Sequence, residues 1–523
     1  MLRVEGGYAF GVPPLISHVY HLLCHGLPRM QSFYQAESQV TLPAGSQVEL
    51  SDVVSVTPRA APHAPREASS WYGSFGARAP RAPPIFTSTG RNGEAVAADR
   101  RIRDVQSFKE LLRVIQEGLA KFDEGTLVIA LCTGAKLVDE RSLSSISSHA
   151  AWVTLVERVH GAIPCLEPRG LSMAAYACAK LALNKDALLS ELADCSVRKA
   201  ADFSSTDVAK ICWAFAKLDF VQEALAFWKE MAQVVLHKVG TARHVELSMI
   251  AWAFGTAQQG TSAMYAELGA CTLRMLQDLT PQCLANIAVA FARQNLPDRE
   301  LFEAISRRSR SLVAEFADFD VTNLCWAQAR ANQVDPDLFE QLATHTVCSR
   351  FVKRYSAEMV AQMCWAFAVA KVQHSPLFCE LSDFIAKHAS VFEVQYVANC
   401  AWAYATLGVP EASAWQALAR ECKGGRLWRY TQDQLSAVCW AFTRIRWQDA
   451  ELFQDMLQVA SQRLAEFDTQ SLLNFLSAVV VLREEDWFSV GEDELREDPK
   501  EILDSLLDSV MLQLQENQMQ PEE

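Results

Sequence analysis

This sequence predicts an all-α, superhelical α-solenoid of about nine stacked helical hairpins of 37–39 residues, and three observations carry that expectation. A tryptophan followed by alanine, an aromatic and a small residue keeps returning, as in Trp213-Ala214-Phe215-Ala216, Trp365-Ala366-Phe367-Ala368 and Trp402-Ala403-Tyr404-Ala405. With Tyr176, Trp213, Trp252, Val289, Trp326, Trp365, Trp402, Trp440 and Ser477 in one slot, every spacing lies between 37 and 39 residues. That period belongs to a stacked array, not to a closed globule. Finally, the chain is 50% apolar and only 21% charged, a folded composition, yet its 523 residues exceed what one compact core supports.

Residues 1–105 read as a disordered leader, rich in Ala, Pro, Ser and Gly and poor in apolar periodicity, especially from Pro58 to Pro84. Up to residue 103 it holds ten arginines, no lysine and seven acids, the balance of an organellar targeting segment for mitochondrion or plastid. Glu5 and the Pro13-Pro14 pair fit a plain disordered leader as well, and both readings stay open. His18, His21, Cys24 and His25 would share one helical face, but their spacing matches no standard zinc pattern.

The repeat array is expected over residues 106–490, with clear repeats from about residue 166 and a degenerate unit around Leu127–Leu137. Residues 491–523 form an acidic capping helix and tail. There Asp498-Pro499 starts a helix whose apolar stripe runs from Ile502 through Leu503, Leu506, Leu507 and Val510 to Leu514. The formal charge of −14 is concentrated in this tail, where two bases face fourteen acids from residue 484 onward; the array itself is nearly neutral.

Each repeat opens ten and nine residues before the slot with an apolar residue and a cap: Phe203-Ser204, Leu279-Thr280, Tyr355-Ser356, Tyr430-Thr431 and Phe467-Asp468. The first helix runs through the slot and breaks near Asn295 or Gly408. A second helix starts at Pro297-Asp298, Asp335-Pro336, Ser375-Pro376 or Pro410-Glu411. It carries a recurrent pair, as in Leu301-Phe302, Leu338-Phe339, Leu377-Phe378 and Leu452-Phe453. The slot aromatics lie in register with apolar neighbours and are expected in the core. The alanine after the slot, kept from Ala177 to Ala478, predicts close helix approach. Cys212, Cys325, Cys364 and Cys439 sit just before it and read as small core residues of a reducing compartment, among 15 cysteines that make no disulfide framework.

Positions seven before, three before and four after the slot fall within about 40° of one another on the first helix. The minus-three position is Asn286, Asn323, Asn399, Asn474 or Gln362, with Lys210 in one repeat; minus seven includes Gln282 and Gln395. The plus-four position is Lys180, Lys217, Arg293, Arg330 or Arg444, and never acidic. An amide offers donor and acceptor to a base edge, and a cation a turn away can hold a phosphate. These thirteen residues are the candidate single-stranded RNA contacts. The other reading of the stripe is a solvated face, or bridges between hairpins.

The phrases Asn323-Leu324-Cys325-Trp326-Ala327-Gln328-Ala329-Arg330 and Ile211-Cys212-Trp213-Ala214-Phe215-Ala216-Lys217-Leu218, followed by an Asp-x-x-Leu-Phe start, resemble octotricopeptide and heptatricopeptide repeats over roughly residues 125–490. The resemblance implies an organellar RNA-binding protein acting in transcript stabilisation, processing or translation. Many such proteins end in a RAP domain; the forty or so acidic residues after the last repeat leave no evident one. No catalytic triad, metal cluster or phosphate loop stands at meaningful spacing, so the expectation is not an enzyme, with no cofactor, metal or small-molecule substrate. No apolar run reaches eighteen residues, so no membrane span is expected. The expected partners are single-stranded RNA and other RNA-processing proteins. A protein-binding scaffold is the competing class, favoured by Val369, Val481, Glu358 and Asp433 in the stripe.

Overall fold

A computed structural model of the chain describes residues 93–138, 149–296 and 298–484. Among these residues there are 21 α-helices and no strand, in an all-α solenoid order. Four helices come first: α1 (Gly93–Asp104), α2 (Phe108–Gly118), α3 (Glu124–Leu137) and α4 (Ala150–Ala162). First and second helices then alternate as α5 (Pro168–Lys180), α6 (Asp186–Arg198), α7 (Ser205–Lys217), α8 (Leu225–Lys238), α9 (His244–Ala257), α10 (Ser262–Arg274), α11 (Pro281–Arg293), α12 (Arg299–Ser311), α13 (Asp318–Arg330) and α14 (Pro336–Cys348). They continue with α15 (Ala357–Ala370), α16 (Ser375–His388), α17 (Val394–Leu407), α18 (Ala412–Glu421), α19 (Gln432–Arg444), α20 (Ala450–Gln462) and α21 (Thr469–Glu484). The nine slot residues fall on the odd-numbered helices from α5 to α21.

The chain divides into two compact units, one ending at His345 and the other starting at Thr346. In the first, α1, α3, α5, α7, α9, α11 and α13 pack in succession, each on the next, with the even-numbered helices in a second layer. In the second, α15, α17, α19 and α21 do the same, and α16 packs on α18. Within each unit first helices approach one another closely, because the alanine after the slot is fully buried, from Ala177 to Ala478. At Gly255 in α9 a Cβ would stand 2.5 Å from the Ala290 Cα of α11. Gly255→Val should therefore destabilise the array by about 1–3 kcal/mol through overpacking. Urea unfolding checks this, and Ala290→Gly in the same chain should return part of the loss.

Local chemistry builds each hairpin. Ser204, Thr280, Ser356, Thr431 and Asp468 accept the backbone N–H three residues on, at 2.8–3.4 Å. Thr431 and Gln434 close a reciprocal capping box. The preceding Phe203, Leu279, Tyr355, Tyr430 and Phe467 are buried, as are their partners Val208, Leu284, Val360, Leu435 and Leu472. At the other end the residue six after the slot is left-handed in eight repeats: Ala182, Asp219, Gln258, Asn295, Asn332, Lys371, Gly408 and Arg446. The next residue's N–H bonds the carbonyl two after the slot, for example Phe220 to Phe215 at 3.0 Å and Val409 to Tyr404 at 2.9 Å. The second-helix pairs Leu301-Phe302, Leu338-Phe339, Leu377-Phe378 and Leu452-Phe453 are all buried.

One boundary moves. Among the described residues helical packing already includes Gly93–Asp104, inside the segment assigned to the leader. Helix α1 buries Ala95 and Ile102 and packs on α3, where Thr126 Oγ1 donates to Asp99 at 2.8 Å. Its Arg100, Arg101 and Arg103 and the lack of a slot tryptophan make it look like leader in sequence. The histidine and cysteine group at 18–25, the rest of the leader to residue 92, and the tail beyond residue 484 with its apolar stripe lie outside the described residues. None of the described cysteines is in a disulfide. Cys212, Cys325, Cys364 and Cys439 are fully buried, and burial pushes their thiols well up, Cys439 to about 12.

Candidate functional site

In α5, α7 and α9 the slot residues face from one first helix toward the next. The Tyr176 and Trp213 rings lie 5.1 Å apart and the Trp213 and Trp252 rings 6.4 Å apart, an aromatic ladder across α5, α7 and α9. Trp213, Trp252, Trp326, Trp365 and Trp402 are buried, and Trp440 is half-buried. One turn on, the plus-four cation folds back over this layer. Lys180 Nζ stands 5.9 Å from the centre of the Tyr176 ring, and Arg444 Cζ 5.5 Å from that of Trp440.

The five plus-four cations are also the last residues of α5, α7, α11, α13 and α19. There each complements the negative end of its helix dipole, worth about 0.3–1 kcal/mol apiece. Arg330 and Arg444 are exposed; Lys180, Lys217 and Arg293 are half-buried, as is Lys210 at minus three. Arg293 Nη1 donates to Thr256 Oγ1 at 2.7 Å, which ties the plus-four positions of α11 and α9 together. Arg330 also lines a shallow pocket with Asn295, Leu296 and Asn332, beside the turns that follow α11 and α13.

The minus-three amides differ from the expectation that they look into a groove. Asn286, Asn323, Gln362 and Asn399 are buried, at most 2% exposed. Asn286 Nδ2 donates to Ser248 Oγ of the preceding first helix at 3.2 Å. Asn399 Oδ1 accepts from Gln395 Nε2 at 3.1 Å, and Gln395 Oε1 accepts from Gln434 Nε2 of α19 at 2.6 Å. Gln362 Nε2 donates to Glu358 Oε1 at 3.3 Å. Helical side chains lean toward the N-terminus, and first helices packed through alanine and glycine cover a position displaced by about 60° from the slot. Bridging between hairpins, the alternative left open by the sequence, is what Asn286 and Gln395 do. Gln282 and Asn474 are half-buried.

Two cations escaped the sequence reading. Arg169 stands seven before Tyr176, and Lys136 stands four after Cys132, itself nine residues beyond the Asp123 cap of α3. Cys132 holds the slot of the degenerate unit, where no ring marks it; counting from the cap would have found it. With these two, the stripe of the first unit holds seven cations, Lys136, Arg169, Lys180, Lys210, Lys217, Arg293 and Arg330, and no carboxylate. In the second unit it holds Arg444 against Glu358 and Asp433, and Asp433 accepts from Ser471 Oγ of α21.

Charge crowding shows in the titration of Lys180. Burial first, then the neighbouring Lys217 ammonium, lowers it from 10.5 to about 8. About half of Lys180 is then neutral amine at pH 8, against well under one part in a hundred for an ordinary lysine. An amine-acylating reagent at pH 8 should therefore modify Lys180 ahead of exposed lysines such as Lys229, as peptide mass spectrometry would show, and the preference should vanish only above about pH 11, where ordinary lysines are neutral as well.

Among the described residues no group of three or more His, Cys, Asp or Glu side chains could hold a metal, and no helix is long and apolar enough to cross a membrane.

Comparison with known proteins bears on the helices that carry this stripe. Residues 244–486, a little under half of the chain, match the family described as RESC6, RNA-editing substrate-binding complex 6 protein. The match opens at the first residue of α9 and takes in the first helices from α9 to α21. No curated protein matches the chain. Among solved structures, a chain described as part of a homology model of the full-length AP-3 complex in an intermediate open conformation is similar over 81% of this chain and 88% of its own length. Its identity is 10% and its TM-score 0.28, too low to carry an argument. The chain is an α-helical repeat protein similar, over this segment, to an RNA-associated family.

Proposed function

We propose that the first-helix face binds single-stranded RNA, with sequence selectivity, in organellar RNA metabolism such as transcript stabilisation, editing, processing or translation. The observation that carries this is the stripe of the first unit: seven cations and no carboxylate, with Lys180 set over the Tyr176 ring. A row of cations matches the sequence-tolerant contact that a single strand offers along its backbone, phosphate charge. The matched family's description adds an RNA-editing substrate-binding complex as context. Selectivity is assigned to Gln282, the half-buried stripe amide of the first unit that keeps some access to solvent, in the manner of repeats that read about one base each. The array acts as a binding platform and not as a catalyst, and the repeat phrase keeps the octotricopeptide-like class as its proposed kin.

The protein-scaffold reading has one observation of its own. Glu358 and Asp433 place carboxylates in the stripe of the second unit, where a phosphate would be repelled. Accordingly RNA is assigned to the first unit, and a protein of an RNA-processing assembly to the second. The arginine-only leader supports a mitochondrial location. The test is crosslinking in cells with sequencing of attached RNA, paired with a titration of single-stranded against duplex RNA. Crosslinks mapping to α5–α13 and a preference for the single strand are expected; no crosslinked RNA overturns the proposal.

A further inference from the structure

We propose that the three first helices α3, α5 and α7 form a sequence-independent seat for the RNA phosphodiester backbone, a grip separate from the repeats that distinguish bases. This rests on the RNA reading above and divides its labour. Five cations converge on the stripe here, Lys136, Arg169, Lys180, Lys210 and Lys217, against two, Arg293 and Arg330, on α9, α11 and α13 together.

What these helices lack is as informative. Their minus-three positions are Ile129, Met173 and Lys210, with none of the amides found from α11 onward, so no side chain there pairs a donor and an acceptor as a base edge requires. The cations are mostly lysines, compact point charges that hold a phosphate without fixed bidentate geometry. Two carboxylates on α7 and α9 are engaged by other side chains. Asp207 is buried and accepts from Ser172 and Ser204, and Glu246 is buried and held by Arg243 at 2.6 Å and Thr206 at 2.6 Å. Lys180 and Lys217 are close enough to oppose each other's charge, and Lys136 and Lys210 both act on the Cys132 thiol. Helix α5 packs on α3 and on α7, which sets the three stripes side by side, and an incoming phosphate would relieve the repulsion among their cations. All five residues lie before residue 244, outside the segment matched by the RNA-editing family.

The experiment titrates the full chain with a fluorescent single-stranded RNA and with a scrambled RNA of equal length, each from about 50 to 300 mM salt. It compares the wild type with the quadruple variant Lys136→Gln/Lys180→Gln/Lys210→Gln/Lys217→Gln and with the same four positions changed to Arg. Each phosphate contact on a single strand contributes about 0.7 to the slope of log affinity against log salt. The Gln variant should lose roughly 3 from that slope. The ratio between the two RNAs should stay unchanged, and the Arg variant should keep the wild-type slope. Circular dichroism of the Arg variant and of each single Gln variant separates folding defects from lost contacts, and the four single variants should each lose about 0.7. An unchanged slope in folded variants, or a collapse of the ratio between RNAs, overturns this inference and leaves the functional reading standing. If the wild-type chain binds no RNA, the functional reading falls and takes this one with it.

Discussion

Replacing Trp213 by alanine is expected to destabilise the repeats around it by about 3–5 kcal/mol, the usual range for removing a buried large aromatic side chain. Trp213 is 6% exposed and is the middle rung of the ladder, in ring contact with Tyr176 on one side and Trp252 on the other, so the change opens a cavity and breaks two aromatic pairs. The loss should stay local, because a hairpin in a stack touches only its neighbours. Amide hydrogen exchange should accelerate across α5, α7 and α9 while α17 and α19 keep their protection. A Trp213→Phe chain should recover most of the difference. Exchange rates within a factor of ten of wild type in α7 would show that the slot does not hold the stack together.

Reversing two plus-four cations, Arg293→Glu with Arg330→Glu, should weaken single-stranded RNA binding by about a hundredfold at moderate salt and lower the salt slope by roughly 1.4, two contacts at about 0.7 each. Arg330 is exposed, and Arg293 is half-buried at its helix end and bonds Thr256 Oγ1, so circular dichroism of the variant accompanies the titration. Each also places an acid at the negative end of a helix, which costs about 0.3–1 kcal/mol of local stability. A parallel Arg293→Gln/Arg330→Gln chain separates that effect, since it removes the contacts without adding an anion. Binding that is equal in wild type and reversal variant would remove this stripe from the RNA interface.

Much of the hairpin was legible because its determinants are local. A cap three residues from its N–H, an apolar residue stapling across the first turn and an alanine at each close approach all lie within one helix, where sequence distance and spatial distance agree. The minus-three amides show where that agreement ends. A helical wheel places Asn286 and Asn399 at an angle but says nothing of how near the next helix stands, and Gly255 and the buried alanines bring it close enough to cover them. The plus-four cations could have been placed better, since a residue four after a ring lies over it; assigning the ring to the core hid that pairing. Helix α1 stayed hidden because its sequence carries no ring, and its polar contacts, Asp99 to Thr126, Glu94 to Lys121 and Arg101 to Glu117, span 27, 27 and 16 residues.

The left-handed residue six after the slot has a practical consequence. It recurs at one register in eight repeats, although only Gly408 among them is glycine. Asn295, Asn332 and Asp219 tolerate this backbone, while Ala182, Gln258, Lys371 and Arg446 adopt it against their own preference. The joint between the two helices is therefore standardised in geometry while free in sequence. Cut at that joint, the segments that run from a second helix through the next first helix have interchangeable ends within one unit, and recombining them would yield chimeric arrays of new length and charge order without redesigning that turn.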